Sequence, residues 1–207
     1  MQAPHLLLLG LLITGCQQST HFSYSGLRWG EQANDVRRQL VQAGLQPDST
    51  ARIYNGPIQG LPGRVVPSID PQLGLTRVDI TLGNANDIAS ADLNAGPNSA
   101  SWYFALGTLR HDCHPLQHTL ETHYGPGNVT VNRVNLSFDD PTLITLAEKP
   151  SAELLRIIWQ TSTESLELQC FISRHTFPAV YPNFPPKVWD WTDYSLTYQR
   201  LPQGGSL

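Results

Sequence analysis

The chain has 207 residues, 40% of them apolar and 14% charged, with 16 Gly and 16 Pro. That is enough for one domain or two small halves sharing a core, and the Gly and Pro content lies below the range of disordered chains. Lys and Arg total 13 against 17 Asp and Glu, and no basic run is longer than Arg37-Arg38, so the electrostatic footprint of a nucleic-acid binder is excluded.

Residues 6–13 read LLLLGLLI and lead into Thr14, Gly15 and Cys16. This run is too short for a membrane-crossing helix, which needs about 20 apolar residues, and has the length of a signal-peptide core. The segment Ile13-Thr14-Gly15-Cys16 resembles the lipobox of bacterial lipoproteins. The resemblance implies that residues 1–15 are a cleaved signal peptide and that Cys16 carries the lipid, palmitate included. Two or more acyl chains at one residue make a stable membrane anchor. One departure is the amino-terminal MQAPH, which has no Lys or Arg. Gln17 follows the Cys where inner-membrane lipoproteins carry Asp, which implies the outer membrane, facing the periplasm.

Residues 16–25 are polar and read as a tether, and Gly26 to Gly30 as a turn. Ala33, Val36, Leu40 and Ala43 fall on one face at helical spacing, so a helix is predicted over 33–43 with Gly44 as its left-handed cap. Arg52 to Gly56, Gly63 to Ser68 and Leu75 to Leu82 predict strands separated by Gly and Pro. They complete a first α-β unit, 26–82. The small and polar stretch 83–101 reads as a loop or linker. The second unit, 102–207, opens with a helix over 112–124, with Asp112 as N-cap and Pro115 placed in its first turn. Strands are expected at 129–138 and 143–147, then a hairpin in which Leu155, Ile157 and Trp159 face Leu166, Leu168, Cys170 and Ile172. Tyr194, Leu196 and Tyr198 alternate like a final strand.

Shifting the first helix by about 80 positions places Val36 on Leu116 and Leu40 on Leu120. The expected fold is therefore α+β, an antiparallel sheet with helices on one face, organised as two α-β-β-β units. The sequence Gly26-Leu27-Arg28-Trp29-Gly30, Val36 and Leu40 on a helix, and Tyr124-Gly125-Pro126 closing a second helix together resemble envelope lipoprotein domains of the SmpA/OmlA type and β-lactamase-inhibitory-protein-like domains. That resemblance implies a non-catalytic protein that binds other envelope proteins. It implies no particular site residue.

Two cysteines remain after Cys16. In an oxidising compartment Cys113 and Cys170 are expected to pair, because each lies on the apolar side of its predicted element. Closing 57 residues of chain this way stabilises by roughly 4 kcal/mol in the chain-entropy picture. The competing chemistry is metal binding by HDCHPLQHTLETH, in which His114 and His118 have the i, i+4 spacing of two ligands, with His111 and Glu121 on the same face. A solvated helix face is the other reading of those histidines. Nucleophile elbow, zinc-protease, phosphate-loop and dinucleotide motifs are absent, so neither an enzyme nor a cofactor is expected.

Between His175 and Trp191 the chain is rich in Pro and aromatics, and two readings stand. It is either a strap over a sheet edge or the core, or a partner or glycan surface with Trp189 and Trp191 two residues apart on one face. The leading expectation is a lipid-anchored envelope protein that binds other envelope proteins. The alternative is a small-ligand binder, for metal through the histidine helix or cell-wall glycan through the aromatic tail.

Overall fold

The computed structural model describes residue 22 and residues 24–58, 61–83, 100–177 and 187–202. The first helix, α1 (Ala33–Gln42), forms where predicted, with Val36 and Leu40 one turn apart and fully buried. Gly44 ends it at φ 89°, and the bonds from Gly44 N–H to the Val41 carbonyl and from Leu45 N–H to the Leu40 carbonyl satisfy the last turn. A four-stranded meander follows: β1 (Gln46–Pro47), β2 (Tyr54–Ile58), β3 (Leu61–Asp70) and β4 (Gly74–Gly83). The three predicted strands are its last three.

The second half departs more from expectation. The long helix α2 runs Ala100–Tyr124, so the predicted linker gives way to helix at its end, and residues 84–99 lie outside the described set. Asp112 is consequently mid-helix instead of an N-cap, and Pro115 is interior. Pro115 removes the hydrogen bond to the carbonyl of His111, and both residues lie on the exposed side, where that carbonyl can be hydrated.

Strand β5 (Asn128–Asn132) is shorter than predicted, and the strand expected over 143–147 is instead helix α3 (Pro141–Ala147). Asp140 caps α3 by accepting the Thr142 N–H, Pro141 takes the first helical position, and Leu143, Leu146 and Ala147 bury one side. The predicted hairpin is β6 (Ser151–Gln160) with β7 (Glu164–Phe177), and β8 (Lys187–Arg200) is the last strand.

The eight strands of the described residues form one antiparallel sheet in the order β1-β2-β3-β4-β8-β7-β6-β5. The two meanders meet at their final strands, from Arg77 opposite Gln199 to Gly83 opposite Asp193. The tail strap of the sequence reading is therefore overturned over its described part: β8 lies in the middle of the sheet, between β4 and β7. Register explains the core. Val78 and Ile80 on β4, Leu196 and Tyr198 on β8, Leu166 and Leu168 on β7, and Ile157 and Trp159 on β6 all fall on one face. They join one buried cluster with Val36 and Leu40 of α1, Leu106, Leu109, Leu116 and Leu120 of α2, and Leu143 and Leu146 of α3.

Tyrosines are a conspicuous part of this core. Burial raises the pKa of Tyr24, Tyr54, Tyr194 and Tyr198 above the ordinary value of 10.0. A folded pKa above the unfolded one gives a stabilisation that is complete below about pH 10 and lost as pH rises beyond it. Alkaline unfolding is therefore expected above about pH 10. Tyrosinate absorbance should appear together with loss of far-ultraviolet circular dichroism; ionisation without unfolding would contradict it.

One glycine is held by a close approach. Gly74 opens β4 at φ 69°, with a Cβ built there 2.8 Å from the Gly30 Cα, and the Gly30 N–H donates to the Leu75 carbonyl across the same contact. Gly74→Ala is expected to cost about 2–3 kcal/mol through backbone strain and the displaced turn, read as a lowered urea midpoint with an unchanged slope.

Candidate functional site

The second face of the sheet carries a different chemistry. Residues alternating with the core set point away from it, and their side chains are half-buried to exposed and mostly polar. Arg77 Nη2 lies 2.7 Å from Asp79 Oδ1 on β4, and Thr197 of β8 donates to the same carboxylate oxygen at 3.0 Å. On β6 and β7, Arg156 Nε lies 2.7 Å from Glu153 Oε1 and 3.4 Å from Glu167 Oε1, which also accepts the Gln169 amide at 2.9 Å.

The carboxylate bonds hold both guanidiniums above their ordinary pKa, Asp79 acting on Arg77 and Glu153 on Arg156. Exposed pairs of this sort contribute at most about 1 kcal/mol each. What they supply is a fixed pattern of donors and acceptors across the middle strands. Phe171 of β7 and Trp191 of β8 add aromatic surface at one end, standing diagonally on adjacent strands and each half-buried.

The predicted site residues are distributed differently. Cys16 lies outside the described residues. Cys113 and Cys170 are joined, with a Cα–Cα distance of 6.4 Å, tying the middle of α2 to β7. His114 and His118 are exposed on α2, and because the helix extends back past Pro115, His111 lies on the same regular helix, 86% exposed, with Nδ1 2.8 Å from Asp112 Oδ1. Among the described residues no group of three or more His, Cys, Asp or Glu side chains converges as a metal cage would require. Trp189 and Trp191 stand two residues apart on β8, opposite His175 and Ser173 of β7.

Two buried polar clusters escaped the sequence reading. Asp190 is fully buried and takes a double contact from Arg174, Nε to Oδ1 at 2.8 Å and Nη2 to Oδ2 at 3.2 Å, plus the Ser101 hydroxyl of α2 at 3.1 Å. Glu164, also buried, accepts the Phe22 N–H at 2.8 Å, and the Phe22 ring packs edge-on against Tyr124 at 5.1 Å. A signal for the first was present: Asp190 and Thr192 share the parity of Tyr194, so polar groups sit in core register.

Compared with known proteins, the chain matches no family model, no curated protein and no solved structure.

Proposed function

We propose that this chain is a lipid-anchored envelope protein, tethered through Cys16 to the outer membrane facing the periplasm, that binds other envelope proteins without catalysis through the face of its sheet that none of the described helices covers. The observation that carries the reading is the contrast between the two faces: one is sealed under the helices, and the other is an ordered polar surface with aromatics at one end. Strands β3, β4, β8, β7 and β6 each have ten residues or more. At strand spacings of about 4.8 Å and about 3.3 Å per residue they present roughly 800 Å², one partner's share of a standard interface.

The connectivity supports the two-unit reading. Each half is a helix followed by a meander, and the second carries α3 as an insertion between its first two strands. The anchor reading is supported by the lipobox-like Ile13 to Cys16 and by the short connection to the body. From Cys16 to Phe22 six residues reach at most about 20 Å. Phe22, held by Glu164 and Tyr124, would fix that end of the body toward the bilayer.

The test is site-specific photo-crosslinking in the native envelope, with probes at Thr81, Gln169 and Ser195 on the sheet face and at Thr122 on α2. Discrete protein adducts from the sheet positions alone are expected. Adducts only from Thr122, or none from the sheet, would overturn the face assignment, and an unacylated Cys16 by mass spectrometry would overturn the anchor.

A further inference from the structure

The end of the sheet nearest Phe22 carries a surface of its own. Glu164, which holds the Phe22 N–H, opens β7 opposite Arg200 of β8, and the next rung sets Ser165 against Gln199, which faces Arg77 of β4. The start of β4 and the turn before it therefore stand at the same end of the sheet as Phe22, two strands away, or about 10 Å across the sheet. The chain follows this end. The Tyr24 ring lies 6.5 Å from that of Tyr198 on β8, and the Gly30 N–H donates to the Leu75 carbonyl at 3.0 Å. Leu75 in turn donates its N–H to the Glu31 carbonyl at 2.9 Å, so the segment through Arg28 and Trp29 is fixed beside the turn from β3 to β4.

Leu73 stands at the tip of that turn. It is 60% exposed, more than any other large apolar residue among the described residues. The turn holds it out: Asp70 Oδ1 accepts the N–H groups of Gln72 at 2.7 Å and of Leu73 at 2.9 Å, and Gly74, at φ 69°, folds the chain back against Gly30. Beside it Trp29 is partly buried against the core and Arg28 is exposed. An apolar tip with an indole and a guanidinium suits a bilayer interface. The Leu can enter the acyl boundary, the indole sit at headgroup level and the Arg meet lipid phosphate.

We propose that the Leu73 turn, with Trp29 and Arg28, is a second membrane contact, seating this end of the body on the phospholipid leaflet that holds its anchor. This contact rests on the anchor reading of Cys16. Six residues from Cys16 to Phe22 reach at most about 20 Å, and Leu73 lies about 10 Å from Phe22 across the sheet, so the tip is within the tether's reach of the lipid surface. Tethering makes the second contact intramolecular, and a small apolar tip is then sufficient. The contact orients the body more than it holds it. With this end on the bilayer the strands rise from the membrane, and the polar face of β4, β8 and β7 is turned sideways, clear of lipid, toward partners in the periplasm.

The test uses the full chain, purified with its lipid and reconstituted in vesicles of phosphatidylethanolamine and phosphatidylglycerol. A bimane probe is attached at Gln72→Cys, next to the tip, or at Ser137→Cys, whose neighbour Phe138 packs on Tyr103, about 30 Å along α2 from Tyr124. Cys113 and Cys170 are bonded to each other, so the introduced thiol takes the label. Nitroxide-bearing lipids are expected to quench the probe at position 72 and leave the probe at 137 unchanged, and Leu73→Ser should remove most of the quenching at 72. Leu73 is exposed, so the far-ultraviolet circular dichroism of that variant should match the parent. Vesicle-bound chain with neither probe quenched, or quenching at 72 indifferent to Leu73→Ser, would overturn the contact and leave the anchor standing. A chain whose mass shows no lipid on Cys16 would overturn the anchor, and the contact with it.

Discussion

Asp190→Ala is expected to lower folding stability by about 3–5 kcal/mol, the usual penalty for removing one partner of a buried ion pair. Asp190 is 0% exposed and the Arg174 side chain 17%, so truncation strands a guanidinium where water reaches it poorly, and it also removes the bond from the Ser101 hydroxyl to Asp190. The cluster sits where α2 begins, beside the pairing of β7 with β8, so the damage is expected as earlier loss of α2 in hydrogen exchange as well as a lower urea midpoint. Replacing both charges by apolar residues, Asp190→Leu with Arg174→Met, should recover most of the loss, since no charge is then buried alone. A single-variant loss under about 1 kcal/mol would mean that the pair is solvated in the folded state.

Replacing both Cys113 and Cys170 by Ala is expected to cost about 4 kcal/mol, from the entropy that a crosslink across 57 residues removes from the unfolded chain. Both sulfurs lie in the core, at 1% and 0% residue exposure, so the bond is shielded from mild reductant, and removal by mutation is the cleaner comparison. Urea unfolding of the oxidised parent against the double variant gives the number. Stability equal within about 1 kcal/mol would mean that the unfolded chain is already restricted without the bond.

The parts of the fold legible in the sequence are those set by local periodicity. Val36 and Leu40 define α1 and Gly44 ends it; the alternation from Leu166 to Ile172 defines β7. The misreading of α2 has a specific cause. Trp102, Ala105, Leu106, Leu109, Cys113, Leu116 and Leu120 form one buried stripe at helical spacing, but Pro115 points to a first turn and the small, polar run up to Ser101 has the composition of a linker. In α3 the β-branched Thr142, Ile144 and Thr145 have low helix preference, while Asp140-Pro141 carries the helix signal of a cap and a first-turn proline.

The position of β8 was not legible by such means. Its alternation predicts a strand, but pairing with β4 across more than a hundred residues has no local signature. The polar face is an intermediate case. Asp79, Glu167 and Thr197 could be placed opposite the apolar side of their strands from sequence, whereas the bonds linking them across strands required the register.

The meeting of the two meanders at their last strands has a consequence for the order in which the molecule can be built. Strand β8 is the last described element along the chain, yet it supplies the pairing partner of both β4 and β7. Until it arrives, Val78, Ile80 and Leu82 lie along an open edge with unsatisfied backbone donors and acceptors, the type of edge that pairs with other chains. Assembly must wait for this distant strand, and long-range closure is slow. The first half is therefore exposed to self-association for as long as the second is incomplete.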